Sequence, residues 1–413
     1  MDKQRCYILI TFVILLLVYF LRLKAKLEFD FKAGQRVRIK TRLSQEPVIK
    51  DNKQLFKLRG VCCQTSRFPL FHYGDFLITT GTIQQQLINP YFSQFWLINP
   101  QIVKLKADNQ KLPWLKQFLA ALMAVRRGWQ KTFDQLLPGP QASLLAGLVL
   151  GIPGRVSADF YQALKTTGTL HVVVASGMNI ALTAGSLVEV LAPFLRRKRA
   201  VVVSSLVVWL YCFIVGFNPP IVRAGLMASL AYLAVLAGRE ARGWWSLGLV
   251  ALFMLLINPL LIFDVGFQLS FTATLGLLTL GSFLNDFFSR FLPVISGDLA
   301  ETASALIFSL PVLVITFGQF NPLTLIPNGL LLWLVPYLMV LGILIGLVGF
   351  VFMPLARVLS WLAFLPLTFF IALIRFFSQW QFLNLQLENL SWFLGFGYYL
   401  LLFALLIRKR SYA

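Results

Sequence analysis

Histidine, acidic side chains and metal-ligand spacings are scarce in this chain, whose 413 residues include two His, sixteen Asp or Glu and four Cys. The two histidines, His72 and His171, cannot build a histidine-rich dinuclear hydrolase site, and the cysteines form no zinc pattern. No Gly-rich loop ending in Lys-Ser or Lys-Thr is present, so neither a nucleotide nor any other cofactor is expected. Charged residues amount to 13% against 58% hydrophobic, more apolar surface than a soluble core of this length hides. The composition therefore predicts a polytopic α-helical membrane protein.

Apolar runs at 6–21, 170–191, 201–217, 221–237, 245–261, 265–280, 303–317, 323–350, 355–376 and 392–407 predict about ten transmembrane or re-entrant helices, since a bilayer needs roughly 20 residues. The segment 143–152 is short and ends in Gly-Ile-Pro-Gly, which suits a re-entrant piece shielded from lipid. Residues 1–23 read as a retained anchor, because a basic start and apolar middle are followed by Phe20-Leu21-Arg22 and no small-residue cleavage site. Arg196-Arg197-Lys198-Arg199 and Arg408-Lys409-Arg410 mark cytoplasmic ends. The even number of runs between them agrees, and it leaves 27–105 exported.

That exported segment alternates polar and apolar residues, as half-buried strands do. Strands are expected at 37–43, 55–61 and 76–83, in a small antiparallel sheet or barrel. Between 20 and 67 lie thirteen Lys or Arg and four Asp or Glu, and Arg36, Arg38, Lys40, Arg42, Lys57 and Arg59 make a basic surface. With aromatics interleaved, it fits single-stranded nucleic acid; anionic lipid headgroups or a merely solvated strand face are the alternatives. Cys62 and Cys63 are adjacent on a strand and read as ordinary strand residues, with one thiol exposed. A linker and amphipathic segment follows at 106–140, and the membrane domain occupies 141–413.

Within the run 167–186, Thr169, Ser176, Asn179, Thr183 and Ser186 recur at helical spacing and form one polar stripe. Gly177, Ala181 and Gly185 sit four apart beside it. Such a helix belongs inside a bundle, facing either a partner helix or a wet cavity.

The stretch Leu-Gly-Ile-Pro-Gly-Arg-Val-Ser with the following Leu170-His171 and Ser176-Gly177 pairs resembles the core of the ComEC-type competence family. Later blocks resemble it in the same order: Asn218-Pro219-Pro220-Ile221-Val222-Arg223-Ala224, Gly266-Phe267-Gln268-Leu269-Ser270, Leu310-Pro311, and Phe317-Gly318-Gln319-Phe320 with Asn328. The resemblance implies an inner-membrane channel that admits one strand of DNA during natural transformation, with an exported oligonucleotide-binding-like (OB-like) barrel ahead of the bundle. It also implies a cytoplasmic ATP-driven motor or single-strand-binding proteins as partners, beside membrane lipid. Two departures stand out: Asn179 occupies a position where the family usually has His, and the metallo-β-lactamase-like nuclease domain of longer members is not in this sequence. A separate nuclease would then degrade the second strand, and this chain would not be an enzyme.

His171, Ser176, Asn179, Arg223, Asp264, Gln268, Ser270, Gln319 and Asn328 are the expected lining of the DNA path. Arg223 is the strongest cation, placed to grip phosphate bidentately or to snorkel. Asp264 either pairs with Arg223 or caps the following helix. Interhelical hydrogen bonds are the alternative role for Ser176, Asn179, Gln268, Ser270 and Gln319. Two other functions compete: a transporter of anionic or lipid-linked solutes, and an intramembrane serine hydrolase using Ser176 and His171. The hydrolase is disfavoured because five residues put these side chains about 140° apart on one helix. A homodimeric pore is open on sequence alone.

Overall fold

Alternation of polar and apolar residues produces seven paired strands, β1 Arg36–Arg42, β2 Val48–Lys50, β3 Lys53–Leu58, β4 Val61–Ser66, β5 Phe76–Asn89, β6 Phe92–Ile98 and β7 Gln101–Leu105. The computed structural model describes residues 34–43, 47–50, 53–58, 61–66, 68–89, 92–105, 114–152, 156–173, 177, 180, 193–240, 242–293, 295–380, 385–386 and 392–411. The expected anchor at 1–23 lies outside these, as does most of the expected span 170–191.

The strand order is β1-β5-β6-β4-β3-β2, with β7 also on β5, and together they make a half-barrel. β5 is the long member. Its first half pairs with β1 on one side and β7 on the other, while its second half pairs with β6. Gly81 marks the changeover, since a Cβ there would press on Leu97 and Pro100. Ile39, Phe56, Leu58, Val61, Cys63, Phe71, Leu77, Ile83, Phe95 and Leu97 form the core. The run 55–61, expected as one strand, is instead the end of β3 and the start of antiparallel β4, with Leu58 opposite Val61. Cys62 and Cys63 are both buried, contrary to the expected exposed thiol. β4 is an interior strand, and Lys57 and Trp96 stand beside Cys62 in its neighbours. Burial raises the Cys62 thiol pKa and pushes that of Cys63 up to about 12.

The helical part begins with α1 Trp114–Leu136, α2 Gly139–Leu150, α3 Ala158–Thr166 and α4 Leu170–Val173. Next come α5 Arg197–Val215, α6 Pro219–Leu236, α7 Gly243–Ile257, α8 Val265–Ser289 and α9 Ser296–Phe317. The last are α10 Leu325–Leu331, α11 Leu334–Val351, α12 Met353–Ser378 and α13 Trp392–Ser411. Among the described residues, 6 helices are long and apolar enough to cross a membrane: α5, α6, α8, α9, α11 and α12. Shorter apolar helices occur at Gly139–Leu150, Gly243–Ile257 and Phe393–Ala404, so the expected ten long elements resolve into long and short pieces.

Local chemistry sets the boundaries. Pro219 and Pro220 open α6 where backbone N–H groups have no helical partner anyway. Asp264 caps α8, its Oδ1 accepting from the Phe267 N–H at 2.9 Å. The expected span 323–350 is broken into α10 and α11. Pro336 lacks the N–H that would continue the ladder through Leu332, and it sits in the first turn of α11.

α2 is buried over its C-terminal two-thirds yet only 12 residues long, about 18 Å, too short for a crossing. Its last carbonyls are met from the side: Arg126 Nη2 donates to Leu150 O at 2.9 Å and Tyr211 Oη to Val149 O at 2.8 Å. This is how a helix end is kept satisfied inside a bundle. The main helical core joins α1, α2, α3, α5, α6, α11 and α12. The strands Gln319–Phe320 and Leu385–Gln386 pair, which brings the loops after α9 and α12 to the same end of the bundle.

Candidate functional site

Arg223 lies in the second turn of α6 and is 9% exposed. Its Nε–H donates to Ser270 Oγ on α8 at 2.7 Å, and Nη1 approaches the Met227 sulfur at 3.4 Å. The guanidinium carbon is 6.0 Å from the centre of the Phe271 ring, within cation–π range. Its Nη2 lies against Gly177, where any Cβ would overlap it.

Three sequence blocks far apart in the chain therefore meet at one guanidinium: the Ser-Gly pair through Gly177, the Pro-Pro-x-x-Arg element, and the Gly-Phe-Gln-Leu-Ser block through Ser270. A side chain at 177 would have to push the guanidinium aside. Among the described residues no carboxylate pairs with Arg223. Among the described residues one serine oxygen, one sulfur and one ring meet part of this five-donor fork, so the site holds a buried positive charge.

A second junction lies beside the α3–α4 turn. Gly168 has a left-handed φ of 67°, and Thr324 fills the space where a Cβ would stand. Asn321 Nδ2 donates to Thr166 O at 2.7 Å, and the Thr167 and Thr169 hydroxyls are 2.8 Å apart. All four polar side chains here, Thr167, Thr169, Asn321 and Thr324, are buried. Asn328, one turn beyond Thr324, is fully buried, and neither amide atom has a hydrogen-bond partner among the described residues.

The other expected lining residues are dispersed. Asp264 takes the capping alternative, while Gln268 Nε2 turns back to Ile262 O at 2.7 Å. Gln319 lies in the short strand paired with Gln386, and its side chain is not among the described parts. His171 lies in α4, with its side chain likewise outside them; Ser176 and Asn179 are outside the described residues altogether. Of the basic surface, Arg36, Arg38, Lys40 and Arg42 share one face of β1 and Lys57 lies apart on β3, while Arg59 is not described. Among the described residues no group of three metal-binding side chains occurs.

Arg126, Tyr211, Tyr398 and Tyr399 were missed. Tyr398 and Tyr399 hydroxyls donate to the carbonyls of Ile307 at 3.0 Å and Phe308 at 2.7 Å. The signal was available in Pro311, whose missing N–H leaves the Ile307 carbonyl needing a donor.

Apolar helices of spanning length, a half-helix capped inside the bundle and a buried guanidinium define a helical membrane protein with a β-sheet module ahead of it. The chain belongs to the Competence protein family, whose model matches residues 148–411. It is 25% identical over 217 residues to ComE operon protein 3 of Bacillus subtilis (strain 168), covering 52% of this chain and 27% of the relative. An uncharacterized protein of Aquifex aeolicus (strain VF5) is 31% identical over 249 residues, 60% of this chain and 56% of the relative. Uncharacterized protein YcaI of Escherichia coli (strain K12) is 26% identical over 157 residues, 35% of this chain and 20% of the relative. The chain thus matches little more than half, and in two cases about a quarter or less, of these relatives' lengths. No solved structure matches it.

Proposed function

We propose that this protein is a multi-pass channel of a bacterial inner membrane that admits single-stranded DNA during natural transformation. The observation that carries the reading is the meeting of three family blocks at Arg223, a buried cation without a carboxylate partner among the described residues. A polyanion cannot cross hydrocarbon bare, because each central charge costs several kcal/mol. A guanidinium held between α6 and α8 offers a phosphate the bidentate contact it needs. His171, Ser176, Asn179 and Asn328 would extend a polar route from that point.

In this reading the β module, residues 27–105, is an extracytoplasmic OB-like domain and the C-terminus is cytoplasmic. The chain acts without enzymatic chemistry of its own. Pulling comes from a cytoplasmic ATP-driven motor or from proteins that trap the emerging strand, and a separate nuclease removes the other strand. Two chains side by side are an open arrangement for the pore.

The test is uptake of labelled DNA into a nuclease-resistant state in the native host. Arg223→Ala is expected to abolish uptake while the protein still inserts at normal levels. Unchanged uptake refutes the assignment. A carrier of small anionic or lipid-linked solutes shares the buried cation but makes no use of the basic sheet.

A further inference from the structure

The register of β1, β5 and β7 gathers a set of side chains that the sequence keeps far apart. In antiparallel pairs, residues directly opposite share a face. Arg36 faces Thr82, Arg38 faces Thr80 and then Gln101, Lys40 faces Ile78 and then Val103, and Arg42 faces Phe76. The other face of the same strands is core, with Ile39 and Leu77 buried. The outer face therefore carries four cations along one edge and Phe76 within the sheet. Lys40 Nζ is 5.4 Å and Arg42 Cζ 5.7 Å from the centre of the Phe76 ring.

Among the described residues none of the four cations pairs with a carboxylate, and Asp75, next to Phe76 in the chain, is taken by Lys104 at 2.8 Å. Lysines on an edge strand can serve only to block pairing with another sheet. That role is met by one or two charges and places no constraint on an aromatic ring between them. Here the cations recur every second residue, about 6.8 Å apart, beside a ring, two threonine hydroxyls and an exposed Val103.

We infer that this three-stranded face is a platform for an extended single strand of nucleic acid, with the phosphates along β1 and a base stacked on Phe76. The inference rests on the DNA-channel reading and deepens it by naming the face and the mode of contact. Stacking on an aromatic ring favours a strand that carries bases over one that does not, irrespective of sequence. Backbone cations contribute through counterion release, with a slope of about −0.7 per neutralised phosphate for single strands. The two contributions separate cleanly by measurement.

The full chain in nanodiscs of zwitterionic lipid is titrated with a thymidine 15-mer and with an abasic 15-mer of equal charge, across a series of salt concentrations. Wild type is expected to prefer the thymidine strand by tenfold or more. Phe76→Leu is expected to remove that preference and leave the salt slope unchanged. Arg38→Gln with Lys40→Gln is expected to lower the slope by about 1.4 and keep the preference. Val103→Trp, at an exposed position, adds a second ring and is expected to tighten binding to the thymidine strand alone.

Equal affinity of wild type for both strands overturns the platform, as does stronger binding to anionic vesicles than to either strand. A Phe76→Leu protein that discriminates like wild type overturns it too. That failure leaves the channel reading standing if Arg223→Ala abolishes uptake, whereas normal uptake in Arg223→Ala sinks the channel and spares a platform that still discriminates.

Discussion

Tyr398 donates its hydroxyl to the carbonyl of Ile307 at 3.0 Å, the backbone oxygen that Pro311, four residues on, has no N–H to reach. A proline inside an apolar helix normally leaves such a carbonyl to find a donor elsewhere, and here α13 brings one. Tyr398→Phe is expected to lower stability in detergent by about 1 kcal/mol. In a Pro311→Ala background the restored N–H at position 311 serves the same carbonyl, so the penalty should shrink. A thermal-unfolding double-mutant cycle reads the coupling.

Gly276 makes a second prediction, because a Cβ there would collide with the Ser304 carbonyl across the α8–α9 contact. Gly276→Ala is expected to destabilise by about 1–3 kcal/mol through overpacking. Gly281, on the same helix, has open space around its would-be Cβ. Gly281→Ala should therefore be neutral or stabilising by up to about 1 kcal/mol from helix propensity, and thermal melts of the two variants check the contrast.

Arg223 allows function and stability to be separated. A buried charge with no carboxylate partner among the described residues is costly to desolvate, and an apolar side chain of similar length removes that cost. Arg223→Met is expected to melt at or above the wild-type temperature while DNA uptake is lost. A lower melting temperature would mean that the guanidinium mainly holds α6 to α8 through Ser270.

Burial of Cys63 gives a prediction in pH. Its thiol pKa is raised from the usual 9.0 to about 12 in the folded sheet, so the native state binds more protons than the unfolded chain between those values. Stability from this group is complete below pH 9 and is lost as pH rises towards 12. The sheet is expected to weaken across that window, less so in Cys63→Ala. At pH 7.5 a maleimide should label neither Cys62 nor Cys63 until the protein is denatured, as mass spectrometry of the modified chain will read.

The sequence disclosed those features that local chemistry controls. Asn218-Pro219-Pro220 and Asp264 announced helix starts, and both helices begin there. α9 begins at Ser296, seven residues before the apolar run, because Asp298 in its first turn suits the helix dipole while lowering the hydropathy. The run 323–350 looked continuous since Pro327 and Pro336 are themselves apolar, although Pro336 removes a backbone donor. In the sheet, alternation located β1 and β5, but the break between β3, ending at Leu58, and β4, starting at Val61, passed unnoticed.

The site was legible in its members and not in its assembly. Arg223 stood out as an intramembrane cation, yet nothing in spacing tells that Gly177 lies against it or that Ser270, 47 residues on, accepts its Nε–H. The fate of Asp264 was undecidable without geometry, since capping and ion pairing ask for the same residue at the same place. Phe76 escaped because its significance arises only from register: Arg42 is its cross-strand neighbour.

The short helix α2 has a mechanical consequence. Its inner end hangs from Arg126 on α1 and Tyr211 on α5, two anchors that come from opposite directions along the chain. Neither support can swing away alone without stripping a carbonyl in a place where water is scarce. Parting any of the three pieces sacrifices a hydrogen bond at that end, so an opening of the bundle is favoured along a seam other than theirs.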